Sequence, residues 1–155
     1  MYDESNELIR RLREICLAFP AAVEKEAWGE CTFRVIGGKM FAMTDNDHHQ
    51  SGHLAVWVMA PPTIQQTLIR SMPQRFFIPP YVGVKGWVGV RLDMNVDWDE
   101  LAGILRDGYL MSAPAKLPGR KAIVSSEPPG DRQKGRRAQS KTGPAKAPTA
   151  GRRNR

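Results

Sequence analysis

Phe33-Arg34-Val35-Ile36-Gly37-Gly38-Lys39-Met40-Phe41-Ala42 is the stretch from which the fold can be read. Two runs rich in β-branched and aromatic residues, Thr32 to Ile36 and Lys39 to Thr44, flank a Gly-Gly pair. A two-residue hairpin turn needs positive φ at both central positions, which glycine adopts without steric cost. The expectation is an antiparallel hairpin that pairs Ile36 with Lys39 and Arg34 with Phe41, so that Arg34, Lys39 and Phe41 share one face.

Working outward, Leu54 to Met59 is a further β-rich run, separated from the hairpin by the polar loop Asp45 to Gly52. Upstream, Leu8, Ile9, Leu12, Ile15, Cys16 and Phe19 recur at helical spacing, which predicts an amphipathic helix over residues 5 to 18 that Pro20 ends. Downstream, Pro61-Pro62 opens a segment with Ile64, Leu68, Ile69 and Met72 at helical spacing, closed by Pro73. Phe76 to Gly86 holds two prolines and two glycines and reads as mostly loop, whereas Trp87 to Leu92 alternates as a strand. Asp97 reads as the N-cap of a last helix, with Glu100 completing a capping box and Trp98, Leu101, Leu105 and Tyr109 as the buried stripe.

The order is helix, antiparallel meander, helix, one or two strands, helix. That is an α+β fold, a twisted antiparallel sheet with helices packed on one face. After Ser112 the chain turns to Pro, Gly, Ala, Lys and Arg, too few large apolar side chains to offset the entropy of ordering. The division expected is a domain over residues 1–117 and a disordered basic tail over 118–155.

Charge divides in the same way. Residues 1–112 carry 11 Lys/Arg against 14 Asp/Glu, and residues 113–155 carry 12 against 2, so the body is acidic and the tail strongly basic. The longest apolar run, Leu54 to Ala60, is far short of a bilayer span, and the polar, acidic start of the chain is unlike a secretory leader. Only Cys16 and Cys31 occur, which fits a reducing cytoplasm, and Cys16 on an apolar stripe reads as a core residue.

Side-chain parity supplies a candidate surface. Val88, Val90 and Leu92 point one way and Trp87, Gly89 and Arg91 the other, with Lys85 in register with Trp87; Trp57 shares that second face. If helices cover the opposite side, Arg34, Lys39, Phe41, Trp57, Lys85, Trp87 and Arg91 lie together on exposed sheet. Cations that meet phosphates, interleaved with rings that stack on bases, suit nucleic acid. The same side chains would equally serve to shield an exposed sheet. Asp45, Asp47, His48, His49 and His53 could ligate a metal, but without an EF-hand Glu or a supporting Cys they read as a solvated loop. No GxSxG, HExxH, Walker or GxGxxG pattern is present, so neither enzyme chemistry nor a cofactor is expected.

Phe33 to Ala42, the run Val84-Lys85-Gly86-Trp87-Val88-Gly89-Val90-Arg91-Leu92-Asp93 and the closing Gly108-Tyr109-Leu110-Met111 resemble the MmcQ/YjbR family over residues 5 to about 117. The resemblance implies a CyaY/frataxin-like, double-wing fold and a DNA-binding role. The expected function is therefore non-enzymatic and largely sequence-nonspecific binding of DNA, with RNA also admissible, through Arg34, Lys39, Lys85, Trp87 and Arg91 on the sheet and Lys134, Arg136, Arg137, Arg152 and Arg153 in the tail. The alternative is a protein-interaction or small-ligand module that uses the same sheet face.

Overall fold

In the computed structural model, which describes residues 5–126, helix α1 (Glu7–Leu17) opens the chain. The Asn6 side chain caps it by accepting from the backbone N–H of Leu8 and Ile9, and Ile9, Leu12 and Cys16 are buried. Strands β1 (Ala22–Ala27), β2 (Glu30–Val35), β3 (Met40–Asn46) and β4 (Leu54–Val58) follow as an antiparallel meander. Helix α2 (Pro62–Ser71), the short strand β5 (Phe76–Phe77), strand β6 (Val88–Arg91) and helix α3 (Trp98–Ser112) complete the expected order. The six strands form one antiparallel sheet in the order β1-β2-β3-β4-β6-β5, so the fold is α+β as read from the sequence.

One face carries the main core. Phe33, Val56, Val58, Val88 and Val90 meet Ile9, Leu12, Leu101, Leu105 and Tyr109 there, all at most 1% exposed. Tyr109 stacks on Phe19 and donates its hydroxyl hydrogen to the Pro20 carbonyl, which ties α3 to the segment that follows α1. Asp97 caps α3 through the backbone N–H of Asp99 and Glu100, as expected, but the Glu100 carboxylate turns to Arg75 at 2.7 Å.

The hairpin differs in detail from the expected two-residue turn. The Val35 N–H bonds the Lys39 carbonyl around Ile36, Gly37 and Gly38, and the register slips between Phe33 and Arg34, so that Phe33 faces Ala42 while Arg34 faces Met40. That bulge turns Phe41 to the core face, fully buried against Phe33 and Tyr109, instead of beside Arg34 and Lys39. Of the two turn glycines only Gly37 has positive φ. Gly38 is required by close approach, since a Cβ there would lie 2.3 Å from the Ser112 carbonyl oxygen.

The described chain also runs past residue 117, where the ordered domain was expected to stop. Helix α4 (Arg120–Ser125) lies against α3: Arg120 donates to the Leu110 carbonyl, Arg106 to the Ser126 carbonyl, and Ile123 packs on the core. The rest of the expected tail, from residue 127 on, lies outside the described residues. Among the described residues no helix is long and apolar enough to cross a membrane.

Candidate functional site

The second face of the sheet was expected to be exposed, and the structure corrects this. Trp57 and Trp87 do point to the helix-free side, as their parity requires, yet they are only 2% and 4% exposed. With Met43 they form a second, smaller core, covered by Met40, Met59, Phe77 and Val82. Met43 and Trp57 are cross-strand partners on β3 and β4. Phe77 lies over Gly89, where a Cβ would come within 2.6 Å of its ring. The covering segment, residues 78–86, is anchored by Gln65 of α2, whose buried amide donates to the Gly83 and Trp87 carbonyls. Trp98, expected to be the packed tryptophan, is only half-buried beneath the Arg11 guanidinium.

This cover leaves a cleft of about 410 Å³. Its lining is overwhelmingly apolar: Trp57, Trp87, Met40, Met43 and Val82 form the body, His48 one side, and Trp28 and Tyr81 the lips. Both lips are exposed and both have left-handed backbone, with φ of 57° at Trp28 and 62° at Tyr81. Trp28 and Gly29 are the two-residue turn between β1 and β2, both with positive φ, a place where Asn-Gly is the favoured pair. A bulky aromatic residue there is a cost to folding, of about 1–3 kcal/mol for a non-glycine in this region. Turn chemistry therefore gives no reason for Trp28, whereas its position on the cleft does.

Two buried carboxylates stand behind the cleft. Asp45 accepts four hydrogen bonds: from the His48 N–H and the Ser51 hydroxyl on Oδ1, and from Trp57 Nε1 and His53 Nε2 on Oδ2. Glu30, fully buried, accepts from the Thr44 hydroxyl and the Asn46 N–H, and His48 Nδ1 lies 3.7 Å from its Oε1. The loop expected to be merely solvated is thus built around Asp45. The His49 side chain lies outside what is described, and among the described residues no three His, Cys, Asp or Glu side chains assemble as a metal site.

The cations singled out from the sequence lie in four different settings. Arg34 is half-buried, with its Nε enclosed and without a hydrogen-bond partner among the described residues. Lys39 is exposed at the hairpin turn, its backbone held by Ser112. Lys85 ends a 3₁₀ turn, Gly83–Lys85, and the strand begins only at Val88, so it does not share the sheet register assigned to it. Arg91 grips Asp93 with two hydrogen bonds of 2.9 and 2.8 Å. Trp87 is buried. Lys134, Arg136, Arg137, Arg152 and Arg153 lie outside the described residues. The residues that sequence reasoning missed are Trp28, Tyr81, Met40, Met43 and Val82, while His48, weighed there only as a metal ligand, lines the cleft instead. The available signal was a Trp directly before a turn Gly and a Tyr directly after Pro79-Pro80, both bulky rings in turn positions.

No curated protein matches the chain. A solved structure, that of the Deinococcus radiodurans protein DR2400, described as a DUF419 domain, is similar with a TM-score of 0.57 and 27% identity over 66% of this chain and 76% of that one. The sequence model of the YjbR family matches residues 17–111, from the end of α1 to the end of α3, and so takes in the whole sheet and every lining residue of the cleft. The chain belongs to the YjbR family.

Proposed function

We propose that the folded domain is a non-enzymatic binding module whose site is the aromatic cleft on the helix-free face. The observation that carries this is the pair of exposed aromatic lips, Trp28 and Tyr81, held in left-handed backbone over a cleft floored by two further tryptophans. Apolar concavities of a few hundred Å³ with a few fixed polar groups are the usual form of small-molecule sites. Binding is favoured over catalysis because Asp45 and Glu30, the two carboxylates behind the cleft, spend their oxygens on protein donors rather than on anything in it.

The test is methyl NMR of ¹³C-methionine-labelled full-length protein against a panel of small aromatic, aliphatic and cationic probes. Ligands of this site shift Met40 and Met43 and not the exposed Met72, Met94 and Met111. Trp28→Ala together with Tyr81→Ala abolishes the response. Shifts spread evenly over the exposed methionines would sink the reading.

A second reading, nonspecific attachment to DNA or RNA, is favoured by charge alone. Residues 127–155 hold nine Lys/Arg against two acidic residues, including Lys134, Arg136, Arg137, Arg152 and Arg153. Such a segment binds phosphates by releasing their counterions, whatever the cleft holds.

A further inference from the structure

We propose that the ligand of the cleft is a small molecule bearing a methylated, quaternary-type ammonium group. The inference rests on the binding-module reading above and adds the chemistry of the ligand. Three indoles, a phenol and two thioethers line the cleft. Ring faces carry a negative quadrupole that attracts a cation placed over them, most strongly for tryptophan. Among the described residues no Lys or Arg lines the cleft.

The charge behind the rings has the same sign. Asp45 accepts from the Trp57 indole N–H at 3.1 Å, which pushes electron density into that ring, and Glu30 stands behind His48. Each imidazole faces one of these buried carboxylates, His53 with Asp45 at 3.1 Å and His48 with Glu30 at 3.7 Å, so an acidic group stands behind each ring. A phosphate or carboxylate ligand would therefore enter against the field. A cation enters with it.

Methylation follows from the hydrogen bonds. An ammonium with N–H groups must replace the water it loses, and an unmatched buried donor is costly. The oxygens of Asp45 and Glu30 are already engaged, and the indole faces and Met sulfurs that make up most of the lining are poor acceptors, which leaves only the Tyr81 hydroxyl and the His48 ring at the edge. A quaternary ammonium, with every N–H replaced by a methyl or alkyl group, has no such donors to satisfy and is weakly hydrated. At about 410 Å³ the cleft has room for the head group and a short chain, the scale of a small molecule.

The experiment titrates full-length protein with choline and with its neutral isostere 3,3-dimethylbutan-1-ol, read by the Met40 and Met43 methyl shifts and by calorimetry. Choline binds at least about tenfold more tightly than the isostere. Trp28→Leu, which keeps apolar bulk at an exposed position and removes the ring, weakens choline far more than the isostere and so erases most of that preference. Equal or tighter binding of the isostere overturns the inference, since the site is then simply apolar. So does binding of a trimethyl-lysine peptide with no binding of choline, which would make the ligand a modified protein. If neutral aromatic probes move Met40 and Met43 while choline does not, the ammonium assignment fails and the cleft stands. If no probe moves them, the cleft reading itself fails.

Discussion

Trp57 Nε1 donates to Asp45 Oδ2 across 3.1 Å between adjacent strands, and neither residue is more than 2% exposed. The other oxygen of the same carboxylate accepts the His48 backbone N–H. Both partners are groups that can only donate.

That arrangement predicts an unusual penalty for Asp45→Asn. An amide presents one acceptor and one NH₂, so whichever way it flips it sets a donor against either the indole or the His48 N–H. The expected loss is about 2–3 kcal/mol of unfolding free energy, in the range of an unsatisfied buried group with a lost charged acceptor. Urea denaturation reads it directly, and an unchanged midpoint would show that the carboxylate is not what organises the loop.

Trp28→Asn should stabilise the domain by about 1 kcal/mol, because Asn tolerates left-handed backbone in a turn beside Gly29 and Trp28 is too exposed for its removal to cost much burial. The same change should abolish probe binding in the cleft. Gain of stability with loss of binding is the pattern of a residue kept for its function; a loss of both would make Trp28 structural.

Two glycines of α3 should respond with opposite signs. A Cβ on Gly108 would lie 2.6 Å from the Met59 carbonyl oxygen and 2.9 Å from Val58 Cγ1, whereas a Cβ on Gly103 meets nothing within 4 Å. Ala gains about 1 kcal/mol over Gly in a helix interior, and overpacking costs about 1–3 kcal/mol. Gly103→Ala is therefore expected to raise the melting temperature and Gly108→Ala to lower it, which a pair of thermal melts decides.

Arg91 holds the Asp93 carboxyl below the usual carboxylate range, first through their hydrogen bonds and then through charge. A carboxyl whose folded pKa is lowered contributes stability above its unfolded pKa of about 4 and loses it as the pH falls through the folded value. The side chains are 34% and 31% exposed, enough for solvent to screen the pair, so the contribution is at most about 1 kcal/mol. Asp93→Asn should lower stability at pH 6 and leave it unchanged near pH 2. A constant difference at both pH values would assign the effect to something other than ionisation.

If nucleic acid is bound, the salt dependence locates the contact. Engagement of six to eight cations gives a slope of log affinity against log salt of about −5 to −7 for the full chain. Truncation after Ser126 removes nine Lys/Arg and should bring the slope near zero. A truncated chain that binds at near-full strength, and fails only on Arg34→Ala, Lys85→Ala and Arg91→Ala together, would return the site to the folded domain.

The element order was legible from local chemistry. Helical spacing located α1 and α2, Asp97 marked the start of α3, and parity put Trp57 and Trp87 on the face away from the helices. Each of these is set by neighbours within a turn or two of chain, which a sequence displays. Whether a face is exposed is not local. It was decided by Tyr81 and Val82 of the segment that Gln65 holds, which close over Trp57 and Trp87, and by Trp28 at a turn about 30 residues before Trp57. The register near Gly37 was likewise settled by the approach of Ser112 to Gly38, a contact between residues 74 positions apart. Periodicity thus determined the elements and their two faces, while only the packing of distant segments could turn an expected basic platform into a buried aromatic cleft.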